Sequence, residues 1–221
     1  MPVAIITGGS RGFGRALAED LLSAGWAVVV DARRGPFPPT AHAIEGDVTD
    51  ATHRAALIDT ARRLGGLDLL VNNASALGPS PLPRLADHPV PDLRRVLEVN
   101  VVAPLALTQE TLPLLRASGG AVVNVTSDAA VEGYEGWGGY GASKAALDQL
   151  SNVLAAEEPS VRVWAFDPGD MRTQMHQHAF PGEDISDRPE PATVVPAVRR
   201  LLTERPPSGR VRAQDLLAVT R

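Results

Sequence analysis

Val3-Ala4-Ile5-Ile6-Thr7-Gly8-Gly9-Ser10-Arg11-Gly12-Phe13-Gly14 runs four apolar residues into a glycine-rich loop. A short, β-branched apolar run ended by glycine reads as a buried strand. The next stretch, Arg15–Ala24, sets Leu17, Ala18, Leu21 and Leu22 on one helical stripe, and Gly25 stops it. Glycines between a strand and a helix permit positive φ and let the backbone approach a ligand closely. The helix start then offers free N–H groups and the positive end of its dipole to a phosphate. Strand, glycine loop and helix at the first crossover is the arrangement a dinucleotide-binding fold needs.

Outward from this unit, apolar runs alternate with helical patterns. Trp26–Val30, Leu67–Val71, Ala121–Val125 and Val161–Phe166 read as buried strands. Asp50–Arg63, Asp92–Arg116 and Tyr140–Glu157 carry helical spacing, and Pro104 and Pro113 are expected to bend or break the middle one. Continuous apolar strands alternating with helices argue for a parallel sheet covered on both faces. Gly35–Thr40, with three prolines, reads as a loop in place of a helix after the second strand. Asp170–Pro191 is polar and proline-bearing and reads as a mobile flap over the substrate. The last segment, Gly209–Arg221, leaves a final strand open. The expectation is one α/β domain over residues 1–221, a doubly wound parallel sheet of about seven strands.

Composition narrows the function. A net charge of −5 lacks the basic face that nucleic acid or anionic lipid requires. Cysteine is absent, which excludes disulfides, thiolate catalysis and Cys-ligated zinc. No basic leader or long apolar run opens the chain, so a cytoplasmic protein with no membrane partner is expected. His176 and His178 lack the carboxylate spacing of a metal site, and no metal is expected.

The chain has 20 Arg but a single Lys, Lys144, four residues after one of its two tyrosines, Tyr140. Spacing four puts both side chains on one helix face. A nearby ammonium stabilises a phenolate, and a tyrosine so tuned exchanges a proton with a carbonyl or alcohol oxygen. Ser127 follows the strand Ala121–Val125, where its hydroxyl would face the ligand crevice.

Thr7–Gly14 (T-G-x-x-x-G-x-G), Asn72-Asn73-Ala74, Asn100, Ser127, Tyr140-x-x-x-Lys144 and the segment Asp167–Thr173 occur in this order. In that order and spacing the chain resembles the classical short-chain dehydrogenases/reductases, with their Rossmann-type fold. The resemblance implies Tyr140 as general acid/base and Lys144 as its tuning cation and a hydrogen-bond donor to the nicotinamide ribose. It implies Ser127 as holder of the substrate oxygen, and Asn100 as the residue placing a water that links Lys144 to solvent. For the cofactor it implies Gly8, Ser10, Phe13 and Gly14 at the phosphates and nicotinamide side. Asp47 and Val48 would contact the adenine, and Asn73 and Ala74 the adenosine half. Pro168, Gly169, Met171 and Thr173 fall at the carboxamide, in the segment similar to the family's P-G-x-x-x-T. Tyr134, Trp137 and Met175 are candidates for the substrate pocket, while Asp128 and Glu135 weigh against an anionic substrate. A homodimer or homotetramer packed through Asp92–Arg116 and Tyr140–Glu157 is also implied.

The cofactor choice rests on Val30-Asp31-Ala32-Arg33-Arg34. An acid here would accept from an adenosine ribose; an arginine would bind a 2′-phosphate. The family's discriminating acid aligns with Ala32, one position past Asp31, and pleating turns neighbours to opposite faces. With Arg33 following and Arg11 in the glycine loop, NADP(H) is favoured over NAD(H), with a small carbonyl or secondary alcohol as substrate. Two other readings compete. Gly8-Gly9-Ser10-Arg11-Gly12 also spells G-x-S-x-G, the elbow of a serine hydrolase using Ser10, although an elbow normally follows several strands. A cofactor-binding sensor or scaffold without turnover would use the fold but has no need of a tuned phenol. Ser75 stands where the family often carries glycine and is expected to be tolerated.

Overall fold

The computed structural model describes residues 1–218. Strands β1 (Val3–Ile6), β2 (Ala27–Ala32), β3 (His42–Glu45), β4 (Leu69–Asn72), β5 (Ala121–Val125), β6 (Arg162–Asp167) and β7 (Gly209–Arg212) form one sheet in the order β3-β2-β1-β4-β5-β6-β7. Every pairing is parallel. This is the Rossmann-type, doubly wound sheet the sequence leads one to expect. Its central strands are buried on both faces, which is why they read as unbroken apolar runs.

Pleating divides β1 between two cores. Ala4 and Ile6 join Leu17, Leu21 and Phe166 on one face, against α1 (Gly12–Ser23) and α7 (Val195–Glu204). Val3 and Ile5 join Leu57, Leu107 and Leu115 on the other. That face is covered by α2 (Ala51–Arg63), α4 (Ala103–Ser118) and α5 (Gly138–Glu157).

As the sequence leads one to expect, no helix follows β2; the proline loop leads straight into β3, an edge strand whose residues are mostly exposed and which apolar periodicity does not reveal. Gly209–Arg212 completes the sheet as β7. The helix expected over Asp92–Arg116 is α3 (Val90–Leu97) and α4 joined by a wide π turn at Glu98–Val102. Pro104 lacks the amide that would donate to the Asn100 carbonyl, so the ladder widens there. Pro113 lies inside α4 on its exposed side and does not end it. The stretch 170–191 carries a short helix, α6 (Gln174–Ala179), amid irregular backbone.

Candidate active site

The carboxyl ends of β1, β2, β4, β5 and β6 open onto one groove of about 1650 Å³. It lies where the winding reverses between β1 and β4, the position at which doubly wound sheets bind ligands.

The glycine loop is fastened from below. Thr7 Oγ1 accepts from the amides of Asn73 (3.0 Å) and Ala74 (2.9 Å), and Asn73 Nδ2 donates to the carbonyls of Thr7 (2.8 Å) and Gly8 (3.1 Å). Gly8 has φ +68°, and a Cβ there would stand 2.9 Å from Ala74 Cα. A Cβ on Gly14 would come within 2.3 Å of Asn73 Nδ2, so Gly14 is a packing position behind the groove. Helix α1 starts at Gly12 with no side-chain cap, which leaves its first amides free for an anion. This cradle fits a dinucleotide's pyrophosphate, with Ser10 and Phe13 on its rim.

Asp31 has a different role from the one its place in sequence suggests. Its Oδ1 accepts from Gly8 N at 2.7 Å, and its Oδ2 pairs with His53 Nε2 at 3.1 Å, both side chains being buried. One carboxylate oxygen thus holds the glycine loop and the other ties β2 to α2, while Asp31 itself lines the groove. Ala32, Arg33, Asp47 and Val48 line the groove beside it. Asp47 accepts from Thr49 N (3.0 Å) and from Arg95 (3.1 Å). Arg11 also lines the groove, but its guanidinium donates to Gln174 of α6, away from the loop carrying Arg33.

At the other end, Ser127, Trp137, Tyr140 and Lys144 share the groove with Pro168, Gly169, Met171, Thr173 and Met175. Lys144 is 2% exposed and donates to the Val125 carbonyl at 2.7 Å. Its Nζ stands 5.5 Å from the centre of the Tyr140 ring. Burial pushes this ammonium down to about 8, against a partial opposing effect of Asp148. Tyr140 moves the other way. Burial holds the phenol well above its ordinary range, a hydrogen bond with Ser75 pulls it back, and Asp167 and Asp128 add to the rise. Burial thus favours the protonated phenol, whereas the sequence reading has it made acidic by Lys144.

Ser127 Oγ donates to Asp128 Oδ1 (2.9 Å) and accepts from Ala129 N (3.2 Å). Tyr134 is half-exposed outside the groove and donates to Asp128 Oδ2 at 3.0 Å. Trp137 packs edge-on to Tyr140, at 5.6 Å between ring centres. Asn100, in the π turn, is fully buried. It accepts from Ala76 N at 2.7 Å and donates to Ala76 O and Ser143 Oγ, both at 2.9 Å. Its side chain thus brackets the loop after β4 to α5. Ser75, passed over in the sequence as a tolerated change, meets both Asn100 Oδ1 and Tyr140. Its departure from the family pattern was the available signal.

The segment after β6 is pinned by Gly169 N donating to Asp167 Oδ1 at 3.0 Å, and Thr173 caps α6 through His176 N at 3.2 Å. His176 faces Asp170 at 3.7 Å and packs on Phe180. Among the described residues no hydrogen bond joins Ser10 to a histidine, so the nucleophile–base pair a hydrolase needs is not assembled.

Comparison with known proteins agrees with this geometry. The family model described as short chain dehydrogenase matches residues 2–184. Mouse sepiapterin reductase is 37% identical over 201 residues, spanning 80% of this chain and 77% of that protein. A short-chain dehydrogenase from Streptomyces avermitilis superposes with a TM-score of 0.82 at 32% identity, covering 98% of this chain and 91% of that one. One from Shigella flexneri, solved with NADP, superposes at 0.86 and 28% identity, covering 96% and 97%. With the switch-point groove, the fastened glycine loop and the Tyr140–Lys144 pair in place, the chain belongs to the short-chain dehydrogenase family of oxidoreductases.

Proposed function

We propose that this oxidoreductase reduces a small carbonyl compound to a secondary alcohol with NADPH, Tyr140 giving the proton. The observation that carries the reading is the burial of Tyr140 and Lys144 side by side at the nicotinamide end of the groove. When bound, the nicotinamide supplies the hydride. Ser127 holds the substrate oxygen, exchanging its bond to Asp128 for one to that oxygen. Tyr140, kept protonated, gives its proton to the oxygen as negative charge develops there. Lys144, anchored on Val125, places its ammonium beside the phenol and stabilises the phenolate left behind. A relative named as a reductase supports this direction.

NADP(H) over NAD(H) is supported by the engagement of Asp31 with Gly8 and His53, by the neutral Ala32, and by the exposed Arg33 beside the groove. The neighbour solved with NADP points the same way. The stretch 170–191, which supplies Met175 to the groove, is read as the substrate flap, and α4 and α5 as an assembly surface. Among the described residues no helix is long and apolar enough to cross a membrane.

The test follows nicotinamide absorbance with NADPH or NADH against a panel of ketones and aldehydes. Tyr140→Phe should bind NADPH normally and lose ~100-fold or more in kcat. NADPH binding by the wild type with no turnover across the panel would favour a sensor instead.

A further inference from the structure

We propose that Arg210 is a positioning residue for the reaction, its guanidinium locking the segments that carry Ser127, Tyr140, Lys144 and the turn after β6 into one unit. From β7, Arg210 donates through Nε to Asp148 Oδ2 at 3.1 Å. One terminal nitrogen donates to both the Ser127 carbonyl at 3.0 Å and Asp167 Oδ2 at 2.8 Å. The three acceptors belong to α5, to the loop after β5 and to the end of β6. Asp148 lies one helical turn beyond Lys144. Asp167 fastens Gly169 with its other oxygen. A planar fork with several fixed donors satisfies three such acceptors at once; an ammonium has no such preset geometry.

The arrangement also balances charge. Asp148 and Asp167 are nearly enclosed, at 12% and 6% side-chain exposure, and Arg210 bridges them. The charged and titratable groups facing Lys144 and Tyr140 are Asp148 on α5, Asp128 after β5, Asp167 on β6 and, bonded to two of these, Arg210 on β7. Arg212 interacts with Asp167 from outside. Without Arg210 two carboxylates would act on the site with less compensation, and the Ser127 backbone would lose an anchor.

This inference rests on the reading of Ser127, Tyr140 and Lys144 as the reacting set, yet it has a readout of its own. Lys144 is the only lysine, so lysine labelled with carbon-13 at Cε gives one side-chain resonance, whose pH titration reports this site alone. Arg210→Gln should raise the Lys144 midpoint by roughly half to one pH unit, and Asp148→Asn should lower it. Arg210→Lys, which adds a second labelled lysine and is therefore read in turnover alone, should recover only part of kcat. In turnover, Arg210→Gln should lose ~10- to 100-fold in kcat with little change in NADPH affinity. An unmoved midpoint in Arg210→Gln, or shifts of the same sign in Arg210→Gln and Asp148→Asn, would overturn the proposal. If Arg210→Gln does not fold, Arg210→Lys decides: a wild-type kcat in that variant would overturn the proposal. Absence of turnover in the wild type would sink the oxidoreductase reading and still leave the titration to judge Arg210.

Discussion

Replacing Lys144 by methionine should make the protein more stable at neutral pH while removing its activity. Burial lowers the ammonium from an ordinary 10.5 to about 8. At about 1.4 kcal/mol per pH unit, the gap corresponds to about 3 kcal/mol carried against the folded state. Methionine is close in shape and has no charge to desolvate, but it leaves the Val125 carbonyl without its 2.7 Å donor, which costs about 1 kcal/mol. The net expectation is a gain of about 2 kcal/mol at pH 7. The sign depends on pH. Below the folded value of about 8, lysine is charged in both states and the wild type bears the whole cost. Between about 8 and 10.5 the folded lysine has lost its proton and the unfolded one has not, so the wild type gains stability as pH rises. The advantage of Lys144→Met should shrink through this window, cross zero about 1.5 pH units above the folded value and end as a deficit of about 1 kcal/mol near 10.5. Urea unfolding followed by tryptophan fluorescence at several pH values from 7 to 10 tests this, with equal m-values required of both proteins. A difference that stays constant with pH, or a variant less stable at pH 7, would refute the reasoning.

Gly14→Ala drives a Cβ to 2.3 Å from Asn73 Nδ2 and 2.6 Å from the Gly8 carbonyl; urea unfolding should show a loss of about 1–3 kcal/mol, with NADPH affinity falling as the loop shifts. Asp31→Asn should cost about 1–3 kcal/mol through Gly8 and His53, yet leave the NADPH-to-NADH ratio of kcat/KM within ~10-fold of wild type. Arg33→Ser should instead raise the Kd for NADPH by ~10-fold or more and spare NADH, as read by fluorescence titration. Leu105 and Val153 are exposed apolar residues on α4 and α5; if these helices form the assembly surface, Leu105→Glu should lower the mass measured by light scattering.

The parts of the fold legible in the sequence are those whose burial is uniform. Val3–Ile6 and Ala121–Val125 are enclosed from end to end and appear as apolar runs with the bounds the structure gives them. His42–Glu45 and Gly209–Arg212 sit at the two sheet edges and expose most of their side chains at least in part, so nothing in their composition separates them from loop. Pro113 was a false stop because it faces solvent, where water can meet the carbonyl it leaves unbonded. The site divides in the same way. Tyr140 and Lys144 are legible together because a helix turns spacing four into proximity. Asp31 was misleading because its direction is set by His53, 22 residues away. Arg210 and Ser127 are separated by 83 residues, and no local pattern announces such a pair.

The cost of Lys144 also bears on the proposed function. Arginine serves at 20 of the 21 cationic positions, and the one ammonium sits at a place 2% exposed to solvent. Cofactor binding alone could use that ammonium as a donor to the nicotinamide ribose, at a cost of about 2 kcal/mol at neutral pH. That is a large fraction of a typical domain's whole stability. Natural proteins carry such a strained, charge-burying position where activity requires it. Here the ammonium stands 5.5 Å from the centre of a buried phenol ring whose own proton is held by desolvation. Each group is buried at its own expense, and proton transfer from the phenol to a substrate oxygen is the chemistry in which both positions become favourable at once.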